Sequence, residues 1–165
     1  MASDDENHKI PEGPPGTPYA PPPPDGRQSE TALAVQRGVC RMLRNMGFAV
    51  LPEFVLASGR RADVIAMDPG GLIWIVEIKS SLADYRADGK WHEYRDYCDR
   101  FCFAIPHTME QAIIPEEVGL IVADNYGAEV MRLLSDHPLH GSRRKAVSLQ
   151  FARVAAQRLH SLWDP

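Results

Sequence analysis

Residues 60–81 read RRADVIAMDPGGLIWIVEIKSS, two apolar runs joined by the turn signal Asp68-Pro69-Gly70-Gly71. That pattern predicts a hairpin with strands at Arg61–Met67 and Leu72–Lys79. Successive side chains alternate between the faces of a strand, so Ile73, Ile75, Glu77 and Lys79 share one face, and Leu72, Trp74, Val76 and Ile78 the other. Both faces are apolar over most of the second strand, which places it centrally in a sheet covered on both sides. A turn centred near Gly70 pairs Met67 with Ile73, Ile65 with Ile75 and Asp63 with Glu77. One face is then hydrophobic at one end and charged at the other.

Two carboxylates opposed on neighbouring strands repel, so the sheet needs a compensating charge there. Lys79 supplies one positive charge. A divalent cation held by Asp63 and Glu77 would supply two, and hard oxygen ligands suit Mg²⁺ or Mn²⁺. Such an ion activates water and stabilises charge on a phosphoryl group, with Lys79 placed to orient the water or neutralise the phosphate. The alternative is a structural ion network, with Arg60 or Arg61 on Asp63 and Lys79 on Glu77.

The rest of the chain frames this hairpin. Ser29 is the expected N-cap of a helix carrying Leu33, Gln36, Cys40 and Leu43 at helical spacing and closed by Gly47. Phe48–Leu56 is expected as a strand, at an edge or bulge because of Pro52. Residues 82–98 are expected to be mainly helical with Gly89 a candidate break. Phe101–Ile105 is a fourth strand, followed by a short helix near 107–112, strands at Val118–Ala123 and Ala128–Leu134, and a long amphipathic helix over 142–163. Helix, three strands, helix, strand and further elements make an α/β fold, a mixed central sheet flanked by helices. Residues 1–27, with four consecutive prolines at 21–24, are expected to form a disordered leader, locally polyproline II or a docking segment, ahead of one folded domain at 28–165.

Composition narrows the function. The 165 residues are 44% hydrophobic, enough for a core, and carry a net charge of −4. DNA contact must therefore come from local basic patches, not from a global field. Cys40, Cys98 and Cys102 have neither zinc nor disulfide spacing and read as reduced thiols in a cytoplasmic protein. Neither a secretory signal nor a bilayer-length apolar run is present, and the six histidines show no ligand spacing.

Asp63 with Glu77-Ile78-Lys79, set in this order of elements, resembles the PD-(D/E)XK (restriction-endonuclease-like) nuclease superfamily, whose core runs αβββαβ. The segments ALAVQRGVCRMLRNMGFAVLPEF, SGRRADVIAMD, IWIVEIKSSLADYRADGKWHEYRDYCDRFCFAIP, GLIVAD and RRKAVSLQFARVAAQRLHSL resemble the MmcB-like DNA repair proteins of bacteria across residues 30–163. The resemblance implies a restriction-endonuclease-like fold, a cytoplasmic role in DNA damage tolerance, DNA and possible repair proteins as partners, and Mg²⁺ or Mn²⁺ as cofactor. It implies Asp63, Glu77 and the backbone carbonyl of Ile78 as metal ligands and Lys79 as the catalytic lysine. Two positions depart from the superfamily pattern: Ala62 replaces a frequent proline, and Gln36 stands where many first helices carry a glutamate. Gln36 holds a metal-bound water or is a hydrogen-bonded residue at the core margin; Glu53 is an extra carboxylate or an exposed strand residue. From the helix after the Glu-x-Lys strand, Asp84, Asp88, Lys90, Trp91, Tyr94 and Asp99 are candidates for support, with Lys90 and Tyr94 on one face if the helix is continuous. Arg60 and Arg61, Arg37, Arg41 and Arg44, and Arg143, Arg144 and Lys145 are the candidate DNA contacts. A metal-dependent nuclease and a non-catalytic DNA- or partner-binding module of the same fold both fit these residues.

Overall fold

The computed structural model of the chain describes residues 29–133 and 135–164. The segment 1–27 expected as a leader lies outside the described residues.

Helix α1 (Glu30–Asn45) starts where the Ser29 hydroxyl accepts the Ala32 N–H at 3.1 Å. It stops at Gly47, whose φ of +89° costs a glycine little. There the Gly47 and Phe48 N–H groups bond the carbonyls of Arg44 and Leu43, satisfying the end of the helix. Six strands follow: β1 (Ala49–Val55), β2 (Arg61–Met67), β3 (Ile73–Ile78), β4 (Arg100–Pro106), β5 (Gly119–Ala123) and β6 (Ala128–Arg132). They form one sheet in the order β1-β2-β3-β4-β5-β6. β3, β4 and β5 run parallel, and the remaining pairs are antiparallel. Pro52, which has no N–H to give, sits on the edge strand β1, and every residue of β3 is buried.

The pleat divides the core in two. Val64, Ala66, Trp74, Val76 and Ile78 pack under α1 with Val35, Val39 and Leu43. On the opposite face, Ile65, Ile73, Ile75, Phe101, Phe103 and Ile105 pack beneath Trp91 and Tyr94 and beneath Val147 and Phe151 of helix α3 (Gly141–Trp163). Burying each large apolar side chain in these layers contributes about 1.5–3 kcal/mol. The expected α/β architecture, with helices on both faces of a mixed sheet and a long C-terminal helix, is the one observed.

Three local expectations are corrected. The helix over 82–98 divides into α2 (Leu82–Ala87) and a 3-10 helix at Trp91–Tyr97. Asp88 ends α2 and its carboxylate accepts the Lys90 N–H, so the chain turns at Gly89. The helix near 107–112 is a single 3-10 turn at Gln111–Ile113, with Pro115 close behind it. β6 ends at Arg132, short of Leu134.

Candidate functional site

The hairpin register places Val64 opposite Val76, Ile65 opposite Ile75 and Met67 opposite Ile73, as expected. One step further, Asp63 faces Glu77, but there the main-chain ladder gives way to side chains. The Asp63 N–H donates to Glu77 Oε1 at 3.1 Å, and the Ile78 N–H donates to Asp63 Oδ2 at 2.8 Å. Between β1 and β2, the pairs Pro52–Val64 and Phe54–Ala62 bracket Glu53 and Asp63. Glu53, Asp63 and Glu77 therefore stand in a row across three adjacent strands.

The row is electrostatically loaded. Burial pushes the Asp63 carboxyl up to about 6 despite the Ile78 N–H, and Glu53 adds to the rise. Burial, then the charge of Asp63, pushes Glu77 well above the usual carboxylate range. Among the described residues no nearby cation pairs with Asp63 or Glu77. Lys79 is buried and bonds Asp88 at 2.7 Å, Arg61 bonds Glu53 at 2.7 Å, and Arg60 bonds Glu93. The structural network that would place an arginine on Asp63 and Lys79 on Glu77 is not the one that forms. Asp63 Oδ1 and Glu77 Oε2 have no hydrogen-bond donor among the described residues.

Gln36 reaches the row from α1. Its amide donates to Glu53 Oε1 at 3.0 Å and to the Asp63 carbonyl at 3.3 Å. Glu53 is also the one described non-glycine residue with positive φ, +50°. Such a conformation costs of order 1–3 kcal/mol and persists where its surroundings hold it. Arg158 of α3 holds it by donating to the carbonyls of Pro52 at 2.6 Å and Glu53 at 2.8 Å. Sequence reasoning missed Arg158. Its signal was a polar residue continuing the inward spacing of Val147, Phe151 and Val154 on α3.

Tyr94 lies over the site, its hydroxyl donating to the Arg61 carbonyl at 3.1 Å and its ring stacked on Phe101. Burial first, then the charges of Glu77 and Asp63, push its pKa well up, so it stays neutral. Lys90 does not share its face. Lys90 lies just outside the 3-10 helix that begins at Trp91, and it is exposed where Tyr94 is buried. Trp91 packs in the core. Asp84 accepts the Ser80 N–H at 2.9 Å and so braces the end of β3.

The basic residues separate into groups. Arg60 and Arg61 border the carboxylates. Arg37 and Arg41 of α1 both reach Asn125 in the β5–β6 turn, at 3.4 and 2.6 Å; Arg44 is exposed in the last turn of that helix. Arg143 stacks over Tyr97, and Lys145 is exposed. Arg144 is a structural anchor: it forks onto Asp99 at 2.7 Å and donates to the Gly71 carbonyl. Asp99, 3% exposed, also accepts the N–H groups of Ile73 and Leu139. Gly71 and Asp99 precede β3 and β4, so 143–145 lie at the opposite end of the sheet from Glu77, and Asp99 serves that end. The pairing with Asp99 also explains how Arg144 tolerates a helix N-terminus.

The donor set of the row fits a hard divalent ion. Among the described residues no three carboxylate, histidine or cysteine side chains form a ready metal cluster. Asp63 and Glu77 instead offer two carboxylates with an unengaged oxygen each, beside the Ile78 backbone. Mg²⁺ is commonly held by one or two carboxylates while keeping several waters, and Mn²⁺ accepts the same oxygen donors.

No described helix is long and apolar enough to cross a membrane. No curated protein matches the chain. A solved structure of a protein of unknown function from Silicibacter pomeroyi is 42% identical, with a TM-score of 0.80 over 83% of this chain and 94% of that one. The profile described as DNA repair protein MmcB-like matches residues 19–165. The chain belongs to the MmcB-like DNA repair protein family.

Proposed function

We propose that the protein is a Mg²⁺- or Mn²⁺-dependent DNA nuclease acting in repair by phosphodiester hydrolysis. One observation carries the reading: two facing carboxylates, Asp63 and Glu77, are held in the folded chain with their pKa values raised, while Lys79, Arg60 and Arg61 pair with Asp88, Glu93 and Glu53 and not with either of them. A structural ion pair would have neutralised them; a metal site leaves them available. When bound, the ion supplies Lewis acidity and a water of lowered pKa. Asp63, Glu77 and the Ile78 carbonyl hold it. Lys79, kept in place by Asp88, presents its ammonium to the scissile phosphate or the attacking water. Tyr94 excludes solvent above them, and Arg60 and Arg61 meet the phosphate backbone.

A second reading, a non-catalytic module that binds DNA or a repair partner, draws on Gln36. A neutral amide stands where an acid would add a ligand, and its nitrogen is committed to Glu53 and the Asp63 carbonyl. Mn²⁺ calorimetry on the wild type and Asp63→Asn separates the two readings, followed by cleavage of branched, single-stranded and duplex DNA. The nuclease reading expects binding that Asp63→Asn abolishes, together with metal-dependent cutting. Absence of Mn²⁺ binding by the wild type sinks it, and binding without cutting of any DNA favours the module.

A further inference from the structure

We infer that the β5–β6 turn and the cavity beside it bind an unpaired nucleobase, with Tyr126 as the stacking surface, so that the DNA engaged is single-stranded at this point. The inference rests on DNA being the ligand and not on cleavage.

Tyr126 is 81% exposed, on a turn held by its own hydrogen bonds. Asp124 accepts the N–H groups of Tyr126 and Gly127 at 2.7 and 2.9 Å, and its own N–H donates to the Gly127 carbonyl at 3.0 Å. Gly38 of α1 lies so close that a Cβ there would stand 2.2 Å from the Asp124 carbonyl oxygen. Because the backbone that carries the ring is already fixed, stacking a base costs only the freedom of the side chain itself. Base–aromatic stacking tolerates any sequence because every base has a π-face.

The surroundings suit a nucleotide. A cavity of about 620 Å³ opens beside the ring, lined by His107, Gln111, Asp124, Glu129 and Met131 among others. Gln111 and Glu129 offer hydrogen-bonding groups to a base edge, the part of an unstacked nucleotide that proteins read. Asp124 is already engaged by backbone N–H groups, which hold its carboxyl below the usual range. On the other side of the turn, Arg37 and Arg41 spend one N–H group each on Asn125, and a guanidinium has five, leaving donors for phosphate.

Location ties the cavity to the carboxylate row. The turn follows β5, which runs parallel to β3 through β4, so turn and Glu77 lie at the same end of the sheet. That is the end where open α/β sheets bind ligands. Val122 and Glu129 lie opposite each other on β5 and β6 and both line the cavity. Val122 packs in the same layer as Ile75 and Phe103, the layer on Glu77's face of the sheet. Glu77 pairs with Phe103, and Phe103 with Leu120; at about 4.8 Å between strands and 3.3 Å per residue, Asp124 lies roughly 16 Å away. A strand of a few nucleotides spans that distance.

The test is fluorescence anisotropy in EDTA with a labelled oligothymidylate, an abasic strand of equal length, and a duplex. The wild type is expected to bind the oligothymidylate more tightly than the abasic strand. Tyr126→Ala should lose about tenfold of that affinity, the scale of one missing stack, and Tyr126→Phe should lose little. Duplex affinity should be the same for all three. With EDTA present no metal or cleavage enters the measurement, so a failed nuclease reading and a failed base site give different results. Unchanged oligothymidylate affinity in Tyr126→Ala, equal loss on duplex, or no wild-type preference over the abasic strand would each overturn the inference.

Discussion

In metal-free buffer, Asp63→Asn should stabilise the protein, and by an amount that grows with pH. Asparagine keeps an oxygen to accept the Ile78 N–H but removes the charge facing Glu77. The wild-type carboxyl stands at about 6 in the fold against 3.8 for an ordinary aspartate. At about 1.36 kcal/mol per pH unit this is a penalty of about 3 kcal/mol on the ionised folded state. The sign follows from proton counting. Between those two values the native state binds more protons at Asp63 than the unfolded state, so the Asp63 contribution to wild-type stability falls as pH rises through the interval. Glu77, raised in the same sense, extends the fall upward. Asp63→Asn removes the Asp63 share and, by removing its charge, part of the Glu77 share. Below pH 4 the two proteins should melt together; at pH 8 the variant should melt higher by about 6–12 °C, given 2–4 °C per kcal/mol for a chain of this size. Thermal melts in EDTA across pH 4–8 measure this directly, and Mn²⁺ should then raise the wild type alone. If Asp63→Asn melts lower than the wild type at pH 8, the carboxylate is a structural partner and the metal reading loses its physical basis.

Other perturbations probe other links. Lys79→Met should leave Mn²⁺ affinity within a few-fold of wild type in calorimetry while cleavage falls at least a hundredfold, the scale of losing one stabilising charge or proton donor. Arg144→Ala strands the buried Asp99 and should cost about 3 kcal/mol in urea unfolding. Because Arg144 helps hold the Asp99 carboxyl below its ordinary value, that loss should be largest above pH 4 and shrink in acid. Gly38→Ala forces a methyl against the Asp124 and Gly127 carbonyls and should cost about 1–3 kcal/mol by overpacking.

The sequence made the centre of the molecule legible and its rim much less so. The β2–β3 register could be read because the turn is short and apolar residues must face apolar residues; a slip of one would have exposed Ile65 and Ile75. That register alone places Asp63 against Glu77. The third member of the row, Glu53, stayed open between an extra carboxylate and an exposed strand residue, since strand order is a tertiary fact. Its left-handed backbone has no sequence signature, for glutamate has no preference for that region. The helix at 82–98 went wrong where local chemistry competed: Asp88 draws both the Lys79 ammonium and the Lys90 N–H, and those bonds outweigh helical propensity beside Gly89. Arg144 was read as a candidate DNA contact because its partner is 45 residues away, a separation no periodicity spans.

Where the β2–β3 ladder yields to the Asp63 and Glu77 carboxylates, the amide hydrogens of Asp63 and Ile78 are held by side chains and not by the sheet. Their exchange with solvent is thereby separated from the opening of the rest of the hairpin. Protonation, substitution or ligation of either carboxylate alters the protection of these two amides while leaving that of Ile65 and Ile75 at the level set by global unfolding. The end of the hairpin is thus a spectroscopic gauge written into the backbone, and it reads the state of the carboxylates without requiring that any substrate be turned over.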